Sequence, residues 1–132
     1  MIMSFELYID IDNDFDRFLM SKTIGYIKQN MVEVERLLDK EENFIEKIQY
    51  RRSASGHVHL KLELDFEPDL LIAFQVRALM HDDPWRIGID LRRLAMQGRS
   101  EINRIFSTKV KNGITYQVGE WIDITKEVCS DE

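Results

Sequence analysis

Residues 57–65 read His57-Val58-His59-Leu60-Lys61-Leu62-Glu63-Leu64-Asp65. The period is two throughout. Val58, Leu60, Leu62 and Leu64 share one face, and His57, His59, Lys61, Glu63 and Asp65 share the other. Strict alternation over this length is the signature of a strand with one face buried and one face wet. The sheet it belongs to therefore has a covered side and an open side.

The N-terminal stretch repeats the pattern. In residues 5–12, Phe5, Leu7, Ile9 and Ile11 point one way, and Glu6, Tyr8, Asp10 and Asp12 the other. From 17 to 40 the period lengthens: Phe18, Ile24, Ile27, Met31, Val34, Leu37 and Leu38 recur at three and four residues. One long amphipathic helix is expected, with Gly25 its weak point. Residues 44–51 read as a second strand, joined to the 57–65 strand by a tight connection rich in serine and glycine. Glu67-Pro68-Asp69 is a helix-start signal, and Leu70, Leu71, Phe74, Ala78 and Leu79 give a second helix to about residue 80. Asp82-Asp83-Pro84 breaks it. Residues 86–92 alternate again, with Ile87, Ile89 and Leu91 inward and Arg86, Gly88, Asp90 and Arg92 outward; a helical reading of 90–96 stays open. Residues 103–110 and 114–118 flank Asn112-Gly113, a hairpin signal.

The expected fold class is α+β. The order strand, helix, strand, strand, helix, strand is that of a ferredoxin/RRM-like sheet with two helices on one face, here with an added C-terminal hairpin. Residues 1–132 are read as one domain, with a core at about 5–96 and the hairpin extension at about 101–122. By fold analogy the first strand lies between the fourth and the third. The open face then collects Tyr8, Asp10, Asp12, His57, His59, Lys61, Glu63, Arg86, Asp90 and Arg92.

Composition limits what such a face can do. The 132 residues carry a formal net charge of −6, which argues against coating nucleic acid by bulk attraction. It leaves room for carboxylates that hold metal ions, because bound cations invert the local field. The single cysteine, Cys129, excludes an internal disulfide and any cysteine-rich zinc pattern, and a reducing, cytoplasmic or otherwise intracellular setting is expected. There is no apolar run of membrane-spanning length and no signal-peptide pattern. An EF-hand reading of Asp10, Asp12, Asp14 and Asp16 fails, since the sixth and twelfth loop positions hold Phe15 and Ser21 instead of glycine and glutamate.

Asp10 and Asp12, two apart on a strand, project from one side, and Asp90 comes from a neighbouring strand. Such oxygen donors suit Mg²⁺ or Mn²⁺. Lys61, Arg86 and Arg92 on the same face can hold a triphosphate or a nucleic-acid backbone.

Three segments resemble motifs of the archaeo-eukaryotic primases. Leu7-Tyr8-Ile9-Asp10-Ile11-Asp12 looks like their first motif, a strand ending in Asp-x-Asp. Ser55-Gly56-His57-Val58-His59-Leu60 resembles the second, and Ile87-Gly88-Ile89-Asp90 the third. The resemblance spans about residues 5–95. It implies metal-dependent nucleotidyl transfer on nucleic acid with Mg²⁺ or Mn²⁺ held by Asp10, Asp12 and Asp90. It also implies that His59 and Ser55 meet the phosphates of a nucleoside triphosphate, with His57 beside them. The chain lacks the family's zinc module and accessory helical domain, so a reduced core that needs a protein partner or a second copy of itself is a further expectation.

Two other readings use the same residues. His57-Val58-His59 also matches the histidine pair of HUH endonucleases, which cut single-stranded DNA with a helix-borne tyrosine; Tyr26 is the candidate. The third reading is a non-catalytic RRM-like interaction or structural module. Base stacking is disfavoured here, because Tyr8 alone represents the aromatics expected on such a face.

Overall fold

The computed structural model describes residues 5–11, 20–52, 58–65, 67–97, 108–111, 114–117 and 119–129. Its centre is the strand with the cleanest alternation. β3 (Val58–Leu64) is paired on both sides, antiparallel to β1 (Phe5–Ile11) and antiparallel to β2 (Ile45–Arg52). A short strand, β6 (Ile122–Asp123), extends the sheet beyond β2. The four-stranded antiparallel order is β1-β3-β2-β6. A separate hairpin, β4 (Thr108–Lys111) with β5 (Ile114–Gln117), forms where Asn112-Gly113 predicts one.

The alternation decides which side is covered. Leu7, Ile9 and Ile11 of β1, Ile48 and Tyr50 of β2, and Val58, Leu60, Leu62 and Leu64 of β3 are buried together in one core. Helix α1 (Met20–Lys40) supplies Ile27, Met31, Val34 and Leu38 to it, and α2 (Leu70–Leu79) supplies Ile72, Ala73 and Val76. The last helix, α4 (Thr125–Cys129), adds Val128, with Ile124 just before it. No helix of the described residues is long and apolar enough to cross a membrane.

Helices α1 and α2 end in the same way. After α1, the Asn43 N–H donates to the Leu38 carbonyl and the Glu42 N–H to that of Asp39. After α2, the Asp82 N–H donates to Arg77 and the His81 N–H to Ala78. These are paired Schellman bonds, and the residue at the turn has positive φ: 56° at Glu42 and 61° at His81.

The sequence reading fails at residues 86–92. They are not a fourth strand but part of a helix, α3 (Pro84–Gln97). The chain does reach the place beside β1, where Asp82 forms a single antiparallel bridge with Ile11. It goes no further, because Pro84 has no N–H to extend a ladder and its fixed φ suits the first position of a helix. Asp83 caps that helix, its Oδ1 accepting the Trp85 N–H at 2.9 Å. The Arg86–Arg92 alternation is compatible with either structure, and the cap and the proline decide.

Two substitutions test the backbone account. Gly25 lies exposed inside α1, and nothing would crowd a methyl group there. Gly25→Ala is expected to stabilise the fold by roughly 0.5–1 kcal/mol. Glu42→Gly, which relieves the positive φ, is expected to add a similar amount, roughly 0.5–1 kcal/mol. Thermal unfolding of the two single variants and the double variant checks both values and their additivity.

Candidate functional site

The side of the sheet away from the helices is built in rows. Asp10, His59 and Arg51 face one another across β1, β3 and β2; Tyr8, Lys61 and Gln49 form the next row; Glu6, Glu63 and Lys47 the third. Strand alternation puts all nine side chains on the same open face. Within these rows three carboxylates stand against three cations, and Asp123, paired with Gln49 at the outer edge, adds a fourth carboxylate to the same side.

The first row is hydrogen-bonded. Arg51 Nε donates to His59 Nδ1 at 3.1 Å. The neutral imidazole therefore carries its proton on Nε2, which lies 3.9 Å from Asp10 Oδ1. His59 is only 4% exposed. Its two nitrogens are turned toward its cross-strand neighbours, so it links Asp10 to Arg51 more than it offers surface to a ligand. The Asp10 carboxylate is more open, with 29% of its side chain exposed.

Trp121 also belongs to this face, and the sequence reading left it unassigned. Gly119 N–H donates to the Arg52 carbonyl, and Tyr50 and Gln49 then pair with Ile122 and Asp123, so residues 119–123 run along the outer edge of β2. Alternation sends Trp121 over the open face. Its ring lies 4.3 Å from the Arg51 guanidinium, 4.6 Å from the Lys61 ammonium and 6.1 Å from the Tyr8 ring. Lys61 also pairs with Glu6 at 3.4 Å. Burial, with the Glu6 carboxylate close by, pushes the Tyr8 phenol up, so it stays protonated at neutral pH. The available signal was the alternation of Trp121 and Asp123 with Ile122 and Ile124, but two paired residues are too few to mark a strand.

The structure takes Asp90 and Arg86 off the open face. Asp90 is buried on α3, its Oδ2 2.8 Å from Arg77 Nη1. Arg77, itself 1% exposed, also donates through Nε to Asp82 Oδ2 at 2.5 Å. Arg86 Nη1 reaches the same oxygen at 2.5 Å and the Tyr8 carbonyl at 2.9 Å. Burial pushes the Asp82 carboxyl up, while Arg86 and Arg77 pull it back down. Burial likewise lowers the Arg86 guanidinium, against the pull of Asp82, Asp90 and Asp10.

Arg92 is exposed on α3 and is likewise not part of a sheet strand. Asp12, Ser55 and His57 lie outside the described residues. Of the expected site residues, the described face holds Asp10, His59 and Lys61. Tyr26 sits on α1, on the covered side, with its ring against His81 at 5.9 Å. The sheet stands between it and His59, which removes the geometry a tyrosine nucleophile needs beside a histidine-held metal. Among the described residues no group of three histidine, cysteine, aspartate or glutamate side chains can hold a metal ion. Asp10 alone suits the mode in which Mg²⁺ or Mn²⁺ keeps its waters and takes one or two carboxylates plus substrate phosphates.

No protein-family model matches the chain, and no curated protein or solved structure is detectably similar to it.

The Asp90 contact has a measurable consequence. Asp90→Ala leaves buried Arg77 with Asp82 as its remaining carboxylate and is expected to cost about 1.5–3 kcal/mol. Urea unfolding of the wild type and the variant measures it.

Proposed function

We propose that this ferredoxin/RRM-like domain handles single-stranded nucleic acid and nucleoside triphosphate on its open face, as a reduced relative of the primase core performing metal-dependent nucleotidyl transfer. The observation that carries the reading is the row Asp10, His59, Arg51, with Lys61 and Trp121 beside it. A carboxylate for a cation, two cationic groups for phosphate and an aromatic pair for a base converge on one surface.

Asp10 would hold the metal, with Asp12 as the second ligand the sequence offers. A Mg²⁺ or Mn²⁺ ion there supplies charge neutralisation and activation of an attacking oxygen. The chain's own part is to orient. Arg51 and Lys61 hold phosphate oxygens, His59 keeps Asp10 and Arg51 in line, and Tyr8 and Trp121 stack a base. Ser55 and His57 belong to the same proposal by sequence. With Asp90 engaged by Arg77, the sequence offers the site two carboxylates, Asp10 and Asp12, instead of three, which favours one metal over two. This reduction is also the reason to expect a protein partner or a second copy to complete the activity.

A second reading has its own support. Trp121 provides the second aromatic that a stacking surface needs, with Arg51 and Lys61 against its ring. This favours a non-catalytic single-strand binding module.

Calorimetry separates the two. For nucleotidyl transfer, Mn²⁺ binds the wild type, binds more tightly with a nucleoside triphosphate, and is lost in Asp10→Ala. For the binding module, a single-stranded oligonucleotide binds without metal, Asp10→Ala leaves it unchanged, and Trp121→Ala weakens it by about 1–3 kcal/mol. An Asp10→Ala variant with wild-type Mn²⁺ affinity would sink the enzymatic reading.

A further inference from the structure

Asp10 is the penultimate residue of β1, an edge strand of the described sheet, and an edge strand's last residues are the least constrained part of a ladder. Here they are held from outside the sheet by one short stretch of chain. Asp82 Oδ1 accepts the Asp10 N–H at 3.0 Å, the Asp83 N–H donates to the Asp10 carbonyl at 2.8 Å, and Arg86 Nη1 donates to the Tyr8 carbonyl at 2.9 Å. Both outward backbone groups of Asp10 and the carbonyl two residues earlier are thus taken by residues 82–86.

The clamp is itself locked. The Asp82 carboxylate has no exposed side-chain surface, and it is fixed by Arg77 and Arg86, with Arg77 fixed in turn by Asp90. Four charged side chains have been desolvated where two of them hold two backbone groups, the Asp10 N–H and the Tyr8 carbonyl. Buried ion pairs are seldom better net stabilisers than apolar residues of the same volume, so stability alone does not call for this arrangement. Two guanidinium groups against two carboxylates sum to zero, so the clamp can stand beside a bound cation without repelling it.

We infer that Asp82 and Arg86 are positioning residues for Asp10: they fix the end of β1 so that the Asp10 carboxylate stands pre-set on the open face as part of a divalent-cation site. This rests on the open-face reading proposed above. Asp82-Asp83-Pro84-x-Arg86 is then one device. Asp83 and Pro84 turn the chain into α3, and that turn places Arg86 against the edge of β1.

Arg86→Met tests it, because charge and position predict opposite signs. Removing a cation near Asp10 would by charge alone tighten Mn²⁺ binding. Loss of positioning weakens it, by roughly tenfold, as loss of an outer-shell partner commonly does. Mn²⁺ affinity is measured by calorimetry on the full chain, well below the unfolding midpoint, in wild type, Asp10→Ala, Arg86→Met and Arg86→Lys. Hydrogen exchange at the Asp10 amide is followed beside that of β3 amides. Expected are a folded Arg86→Met with weaker Mn²⁺ binding and faster exchange at Asp10 but not in β3, and an intermediate Arg86→Lys, whose single ammonium cannot serve Asp82 and the Tyr8 carbonyl together. Unchanged or tighter Mn²⁺ binding in Arg86→Met overturns the inference. So does failure of both Arg86 variants to fold, which would make the clamp a structural strut. If Asp10→Ala binds Mn²⁺ like the wild type, the open-face reading has failed instead, and exchange at Asp10 alone then decides whether residues 82–86 position β1.

Discussion

The carboxylate of Asp82 is the point on which the structure turns. One oxygen receives the Asp10 amide of β1, and the other receives guanidinium groups from α2 and α3. The consecutive helices α2 and α3 and the sequence-distant strand β1 meet at a single side chain. Leaving such a group without its partners would strand charges in the interior, at a cost of several kcal/mol. The arrangement is therefore all or none, and it fixes how α2 ends, where β1 ends and how α3 leaves the sheet.

The open face follows from that constraint and from period-two alternation. One side of β1, β2 and β3 is consumed by the core under α1, α2 and α4, so the side chains between the core positions have to stand on the other. The register then brings Asp10, His59 and Arg51 into line, and the edge segment at 119–123 lays Trp121 across Arg51 and Lys61. On the reading proposed above, this surface is a place for phosphate, a base and a cation. It comes from cross-strand pairing, not from a pocket enclosed by loops.

Much of this was legible in the sequence because it depends on local periodicity. The strands at 5–12 and 57–65, the long helix and the hairpin at Asn112-Gly113 are patterns that a chain shows without its partners, and so is the placing of Asp10, His59 and Lys61 on one face. Residues 86–92 misled because Ile87, Ile89 and Leu91 alternate while the same stretch also fits a helix. Asp83 and Pro84 just before it carried the deciding information, as cap and first helical residue. Asp90 looked like a ligand because a carboxylate after an apolar run is also what a buried ion pair requires; its partner, Arg77, lies on another element and no spacing rule points to it. Trp121 was missed for the same reason, since its two-residue strand is defined only by the β2 edge it joins.

The open face around Asp10 is proposed as a cation and phosphate site. The most direct measurement is the paramagnetic broadening of backbone amide resonances on adding substoichiometric Mn²⁺ with a nucleoside triphosphate. Broadening is expected to centre on Asp10, His59, Arg51 and Lys61, with the amides of α1 and α4 unaffected. Broadening confined to the acidic surface at Asp39, Glu41 and Glu42, or absent throughout, would contradict it.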